Sequence, residues 1–195
     1  MRTLTSFMNV TVDGYFEGPQ HDISFFKGDD QDNTWFREQA SSGATMLFGH
    51  RTYDLMKSWW PTRQASEANP EVARYMNEMP KLVAARKPFD PGWSQVTVLH
   101  GDAAAEIRKL KKGPGKDIVI LGSNALCVSL MGEGLIDEFQ IMVSPIVLGD
   151  GTPLFKGFTQ KEKLKLVDTR PLASGKVVHV YRPLAARQTS EASAR

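Results

Sequence analysis

The sequence has very little cysteine, no long apolar run and almost no net charge. Its single cysteine, Cys127, excludes an intrachain disulfide, and the apolar residues around it predict a buried, unreactive thiol. No stretch of about 18 apolar residues occurs, so we expect no membrane-spanning helix. A formal charge of +2 does not favour nucleic acid as a partner.

Several signatures of other protein classes are also missing. The N-terminus lacks the apolar core and cleavage site of a secretory signal, so we expect a cytoplasmic protein. The four histidines show no ligand spacing, which predicts no metal site. There is no Gly-x-Gly-x-x-Gly and no Gly-Lys-Thr phosphate motif. Ser123 lacks the Gly-x-Ser-x-Gly setting of an acyl-transfer nucleophile.

What is present fits one globular domain. The chain has 195 residues, of which 41% are hydrophobic, and we expect one α/β domain over residues 1–183 and a mobile tail over 184–195. Strands and helices alternate early and strands follow strands late, which indicates a mixed sheet covered by helices. The predicted strands are 2–12, 45–48, 81–85, 95–99, 117–121, 138–148, 163–169 and 176–182. The predicted helices are 33–41, 50–59, 71–79, 103–110 and 124–131, with a loop over 61–70.

Three predicted strands end in small residues immediately before polar or helical segments. These residues are Gly49, Ala85 and Gly122. In a mostly parallel sheet such ends lie at one edge, where ligands bind, and helix N-termini there suit a diphosphate. Arg51 and Arg86 are placed to neutralise phosphate charge. The alternative is that the glycines only make tight strand-to-helix turns.

The order of the sequence motifs resembles a known family. The motifs lie at residues 10–14, 48–53, 120–126, 134–139 and 144–155, and include Phe-Gly-His-Arg-Thr-Tyr and Ser-Pro-Ile-Val-Leu-Gly-Asp-Gly. Together they resemble the dihydrofolate-reductase-like family, in the branch that contains the reductase domain of riboflavin biosynthesis. The resemblance extends over residues 2–182. It implies a mixed, mostly parallel sheet of about eight strands flanked by helices, NADPH as hydride donor, and a homodimer.

The resemblance also implies which residues bind the cofactor. Phosphate contacts are implied for one strand-to-helix turn, the adenosine end for a second and the nicotinamide for a third. The residues are, in that order, Gly49, His50, Arg51 and Thr52; Ala85 and Arg86; and Gly122, Ser123, Asn124 and Ala125. The family usually has Arg where this chain has His50, and Ser or Thr near Ala85. The preference for NADPH over NADH therefore depends on the resemblance alone.

The implied function is reduction of a small heterocyclic or carbonyl substrate, such as dihydrofolate or 5-amino-6-(5-phosphoribosylamino)uracil. Such a reaction needs a proton as well as a hydride. The candidate proton donors are Asp32 and Asp22, although Asp32 also fits the N-cap of the predicted helix 33–41. The alternative function is a dinucleotide-binding protein without efficient catalysis.

The segment Glu138 to Val147 is a long extended run, followed by the turn signal Gly149-Asp150-Gly151. We interpret this run as an exposed sheet edge that needs cover. It therefore supports the homodimer that the resemblance implies.

Overall fold

The computed structural model describes residues 1–26, 38 and 42–184 of the chain. The helices of these residues are α1 (His50–Trp59), α2 (Arg63–Ala68), α3 (Pro70–Glu78), α4 (Ala103–Lys112) and α5 (Asn124–Gly132), and Pro19–His21 and Ser24–Phe26 form short 3-10 turns. The strands are β1 (Leu4–Thr11), β2 (Tyr15–Glu17), β3 (Thr45–Gly49), β4 (Lys81–Ala85), β5 (Val96–His100), β6 (Ile118–Leu121), β7 (Glu138–Ser144), β8 (Thr152–Pro153), β9 (Leu164–Pro171) and β10 (Val177–Pro183). Apart from Glu38, the predicted helix 33–41 lies outside the described residues, as does the tail beyond Leu184.

Eight strands form one sheet in the order β5-β4-β3-β6-β1-β7-β10-β9, and β2 pairs with β8 in a second, small sheet. The pairs from β5 across to β7 are all parallel, and β10 and β9 are antiparallel to their neighbours. The predicted mostly parallel, mixed sheet is thus confirmed. The first strand of the chain lies inside the sheet, between β6 and β7.

Both faces of the central strands are buried, which explains why their sequences are almost continuously apolar. Leu47 of β3 packs in a core cluster with residues of β1, β6 and α5. Its neighbours Met46 and Phe48 pack in a different cluster, with Tyr53 of α1 and Met76 of α3. Because successive side chains of a strand point to opposite faces, these two clusters lie on opposite sides of the sheet. No helix of the described residues combines the length and the apolar character needed to cross a bilayer.

The prediction of a loop over 61–70 is wrong, because α2 occupies part of it. Thr62 caps this short helix by accepting a hydrogen bond from the Ala65 amide on its side-chain oxygen, at 3.2 Å. Ala65 is the buried residue of the helix. A polar segment with one buried alanine has too weak an apolar pattern to predict a helix from periodicity.

The interpretation of Glu138 to Val147 as a sheet edge is also wrong. β7 pairs with β1 on one side and with β10 on the other, so its backbone is not available to another chain. The edge on this side of the sheet is β9, whose Leu166 and Val167 are 50% and 40% exposed. Extended sequence does not reveal which neighbours a strand will have.

Cys127 is buried in α5, as predicted. Its Sγ lies 3.2 Å from the Oγ of Ser6 on β1. Burial raises the pKa of the thiol to about 11. The prediction of an unreactive thiol is consistent with this environment, because the thiolate is the reactive form.

Candidate functional site

The three strand ends predicted to lie together are neighbours in the sheet. β4 pairs with β3, and β3 pairs with β6, all in parallel, so their carboxyl ends meet at one edge. β3 continues directly into α1 after Gly49, and β6 continues into α5 after Gly122 and Ser123. The edge therefore carries two helix N-termini side by side.

The turn between β6 and α5 is unusual, and it contacts the start of α1. Gly122 and Ser123 both have left-handed backbone conformations, with φ values of 64° and 62°. A side chain at Gly122 would place its Cβ 3.2 Å from Cγ2 of Thr52, so glycine is favoured there by both its conformation and its close contact. The Ser123 hydroxyl accepts a hydrogen bond from the Gly49 amide at 2.9 Å. The Ser123 side chain at the start of α5 thus holds the backbone at the start of α1 in place.

Neither helix N-terminus is capped by a side chain of its own. The N-cap residues are Gly49 for α1 and Ser123 for α5, and neither makes a side-chain capping bond. The first N–H groups of a helix have no partner within the helix, and together they favour an anion. The cleft beside them has a volume of about 410 Å³. Two adjacent uncapped N-termini fit a diphosphate group.

Most of the predicted cofactor residues line this one cleft. Those lining it are Gly49, His50, Arg51, Thr52, Ser123, Asn124 and Ala125. The cleft is also lined by residues that the sequence did not single out: Glu17, His21, Leu126, Thr152 and Lys156. Gly122 does not line the cleft and lies in the turn beside Thr52. The structure therefore brings together side chains from the β3 and β6 turns and from the small β2–β8 sheet.

The adenosine-end residues Ala85 and Arg86 do not line the cleft. Ala85 is the buried last residue of β4, and Arg86 follows it on the surface. Arg86 makes no hydrogen bond or ion pair with another described residue. Its position at the end of the strand next to β3 leaves it on the same sheet edge, outside the cleft itself.

His50 contacts its own helix and a neighbouring loop. Its Nε2 lies 3.5 Å from the carboxylate of Asp54, one turn further along α1. Its ring stacks at an angle against Phe89, with 4.2 Å between ring centroids. These two contacts fix the imidazole at the start of α1.

The most buried charge of the cleft is Glu17, at the end of β2, which is 3% exposed. Its Oε2 accepts a hydrogen bond from Nη2 of Arg51 at 2.7 Å, and its Oε1 lies 2.9 Å from Nδ1 of His21. The Thr152 hydroxyl also contacts the carboxylate. Burial raises the pKa of Glu17, but the hydrogen bonds from His21 and Arg51 outweigh it and hold the pKa below its ordinary value. Glu17 is therefore an anion at neutral pH.

The backbone of Glu17 packs closely against the backbone at Gly151. A Cβ at Gly151 would collide with the carbonyl oxygen of Glu17. Glu17 also pairs with Thr152 across the small sheet. The segment after β7 is tied to the end of β1 by Asp13, whose carboxylate accepts hydrogen bonds from the Leu148 and Gly149 amides at distances from 2.8 to 3.2 Å.

Of the two candidate proton donors, Asp22 is among the described residues and Asp32 is not. Asp22 is exposed, and its carboxylate accepts the Ser24 amide at 2.8 Å. This hydrogen bond lowers the pKa of Asp22, and Asp22 does not line the cleft. Asp32 lies outside the described residues. Among residues 1–26, 38 and 42–184, no group of three His, Cys, Asp or Glu side chains is arranged to hold a metal ion.

Comparison with known proteins gives one family and one fold. Residues 2–178 match the RibD C-terminal domain. The uncharacterized protein YyaP of Bacillus subtilis strain 168 is 34% identical over 173 residues, which are 88% of this chain and 90% of YyaP. A second uncharacterized protein of that organism, YwjB, is 39% identical over 138 residues, 71% of this chain and 73% of YwjB.

Three solved structures share the fold at low sequence identity. A protein from Shewanella sp. PV-4 assigned to riboflavin biosynthesis has a TM-score of 0.75 and 19% identity, covering 93% of this chain and 99% of its own. The Thermotoga maritima diaminohydroxyphosphoribosylaminopyrimidine deaminase/5-amino-6-(5-phosphoribosylamino)uracil reductase has a TM-score of 0.66 and 14% identity, covering 94% of this chain and 57% of its own. Dihydrofolate reductase from Enterococcus faecalis, complexed with NADP(H), has a TM-score of 0.61 and 15% identity, covering 93% of this chain and 96% of its own. The predicted dihydrofolate-reductase-like fold is thereby confirmed.

Proposed function

Because the chain belongs to the family of RibD C-terminal domains, we propose that it is an NADPH-dependent reductase of a small heterocyclic or carbonyl substrate. The observation that carries the proposal is the pair of uncapped helix N-termini at one cleft, joined by the bond between the Gly49 amide and Ser123. These N–H groups suit the diphosphate of a dinucleotide. The resemblance of the motifs and the fold shared with an NADP(H)-bound reductase support the choice of cofactor.

NADPH would supply the hydride, and the residues of this chain would bind and orient it. In this proposal the amides that follow Gly49 and Ser123 hold the diphosphate, and Thr52 and Asn124 line the same cleft. Arg86, outside the cleft but on the same sheet edge, would meet the phosphate at the adenosine end. Titration calorimetry with NADPH and with NADH tests this proposal. If neither binds at millimolar concentration, the proposal fails.

Arg86 gives a sharper test, because it has no competing partner among the described residues. Replacing it with Ala should weaken NADPH binding by roughly 1–3 kcal/mol, as expected for loss of a charge-assisted hydrogen bond. Lys87→Ala is the matched control, since it removes the same charge from the next exposed position. Equal affinities of the Arg86 variant and the wild type would mean that the adenosine phosphate lies elsewhere.

The substrates that we propose to examine are dihydrofolate and 5-amino-6-(5-phosphoribosylamino)uracil. Reductases of both names share this fold. The measurement is multiple-turnover oxidation of NADPH with each compound, monitored by the absorbance of NADPH. Turnover of one of them would define the substrate class.

A dinucleotide-binding protein without efficient catalysis is the second candidate. It is favoured by the position of Asp22, which is bonded within a turn and does not line the cleft. NADPH binding without oxidation in the presence of the whole substrate panel would support this candidate over the reductase.

The proton donor is tested by Asp32→Asn and Asp22→Asn. If Asp32 donates the proton, its variant should lose about 10²-fold or more in turnover with unchanged NADPH affinity. If Asp32 is an N-cap, Asn should replace it well and the rate should persist. We expect Asp22→Asn to leave turnover unchanged, because its carboxylate serves the turn at Ser24.

We also propose that the protein is a homodimer. The support from the structure is the exposed edge strand β9, since an unpaired strand edge is a template for pairing with another chain. Light scattering at tens of micromolar should give twice the chain mass of 21.7 kDa. A monomer mass would contradict the proposal.

A further inference from the structure

The arginine expected to meet phosphate is already engaged by the protein itself. Nη2 of Arg51 donates to Oε2 of Glu17 at 2.7 Å. Nη1 of Arg51 lies 2.8 Å and 3.1 Å from the two ring nitrogens of His21. A bidentate contact with a phosphate needs two parallel N–H groups of the guanidinium. These contacts use at most one N–H of each terminal nitrogen, so a ligand that approaches the same edge of the guanidinium competes with Glu17 and His21.

From this arrangement we propose that Glu17 is an internal competitor for Arg51, so that a diphosphate anion binds the cleft by displacing the Glu17 carboxylate from the guanidinium. The proposal rests on the proposed function for the class of ligand. It differs from a positioning role, in which Glu17 would hold Arg51 ready for the phosphate. In a positioning role Arg51 would stay bound to Glu17 and meet the phosphate with its remaining N–H groups, whereas in competition it releases Glu17.

The charges of the cleft agree with competition. Among the residues that line it, the charged side chains are Glu17, Arg51 and Lys156, apart from the histidines. Glu17 and Arg51 cancel each other, which leaves Lys156 and the two helix N-termini as attraction for an anion. Because Glu17 is nearly inaccessible to water, its charge is weakly screened and acts strongly on a neighbouring ligand.

The loop that carries His21 is held in an uncommon conformation. Gln20 and His21 have φ values of 57° and 65°, which non-glycine residues rarely adopt. Such residues persist where the surroundings over-determine them. The contacts of His21 with Glu17 and Arg51 supply that constraint. Removing Arg51 from the cluster would let this loop relax, which offsets part of the cost of the exchange.

The test measures binding alone and uses two probes, inorganic diphosphate and NADPH. Each is titrated calorimetrically into the wild type, Glu17→Gln, and the double variant Glu17→Gln with Arg51→Met. Glu17→Gln should bind both probes on the order of tenfold more tightly than the wild type, because the competing charge is gone and a neutral amide holds Arg51 less strongly than the carboxylate. The double variant should lose this gain. Glu67→Gln is the matched control: it removes a carboxylate from α2 that is 60% exposed and does not line the cleft, and its affinity should equal that of the wild type.

The outcomes separate the inference from the proposed function. If Glu17→Gln binds diphosphate more tightly while no variant binds NADPH, the inference stands and the reductase does not. If the wild type binds NADPH but Glu17→Gln binds it equally or more weakly, Glu17 is a positioning residue and the inference is overturned. If no variant binds either probe, both are overturned.

A second variant covers the case in which Glu17→Gln does not fold, as judged by circular dichroism. His21 has a side chain that is 62% exposed, so His21→Ala should fold. It frees Nη1 of Arg51 and should tighten diphosphate binding about threefold, the value of one modest hydrogen bond. An unchanged or weaker affinity of His21→Ala would then overturn the inference.

Discussion

Lys81 and Glu17 are both almost completely shielded from solvent, yet Lys81 lies at the amino ends of the parallel strands and Glu17 at the cleft by their carboxyl ends, and the two are satisfied in different ways. Nζ of Lys81, at the start of β4, donates to the backbone carbonyls of Asn77, Met79 and Ser94 at 3.1, 2.8 and 3.2 Å. It also lies 4.6 Å from the ring centre of Trp93. Glu17, at the cleft, is instead satisfied by side chains, with Arg51 and His21 themselves more than half exposed.

This difference separates a charge whose partners are fixed by the fold from one whose partners can be exchanged. Backbone carbonyls are fixed by the fold, so the partners of Lys81 cannot leave without local unfolding. Exposed side chains can rotate away, so the partners of Glu17 can be exchanged. The cleft lies at the carboxyl ends of the parallel strands, where ligands bind in such sheets, and Lys81 lies at the amino end.

The largest effect on stability should come from removing the charge of Lys81. Lys81→Met leaves three carbonyls without their donor and should lower the free energy of unfolding by about 3 kcal/mol. NADPH affinity of the folded variant should not change. Urea unfolding at pH 7 measures the first effect, and calorimetry the second. Lys112→Met, at an exposed position of α4, is the control and should stay within about 0.5 kcal/mol of the wild type.

The pH dependence of the same variant sharpens the comparison. Burial lowers the pKa of Lys81 from 10.5 to about 8. Between these values the unfolded chain binds more protons than the folded one, so this lysine makes stability rise with pH in that window. The stability difference between wild type and Lys81→Met should therefore widen by about 1 kcal/mol from pH 8 to 9. A difference that narrows would contradict the assignment of a lowered pKa.

The smallest effect on stability should come from removing the charge of Glu17. Glu17→Gln should cost roughly 1 kcal/mol of stability at pH 7, because the amide keeps part of the hydrogen bonding. Since the pKa of Glu17 is held below its ordinary value of 4.5, its contribution is present above that value and is lost as pH falls through the folded pKa. The wild type and the variant should thus converge in urea unfolding at acid pH. A cost as large as that of Lys81→Met would mean that Glu17 is structural after all.

Much of the fold could be predicted from the sequence because the central strands are buried on both faces. Ile118 to Leu121 is continuously apolar and lies between β1 and β3, as a two-sided strand must. The helix predicted at His50 to Trp59 has the observed bounds, since it begins directly after a glycine-ended strand. α2 was missed because its capping by Thr62 and its single buried alanine give little periodic signal.

The site was predictable only where it follows strand ends. Gly49 and Gly122 were singled out because parallel strands place their carboxyl ends together, and Ser123 was named by the family resemblance. Glu17 was missed because its partner Arg51 is 34 positions away and no local pattern links them. The one available signal was an acidic residue at the end of a short strand, beside Gly18 and Pro19. An isolated carboxylate at such a position is equally typical of a solvated turn, and only the tertiary structure distinguishes the two.

The position of β1 inside the sheet has a consequence for how the chain is made. Leu4 pairs with Ile118, and Thr5 with Glu138, so β1 meets its partners only after most of the domain has been synthesised. Contacts so distant in sequence carry a large loop-closure cost and slow folding. Until then β1 presents two unpaired edges of apolar strand, which is the state most open to aggregation or to capture by a chaperone. A chain truncated before β7 would leave the edge of β1 that pairs with β7 without its partner.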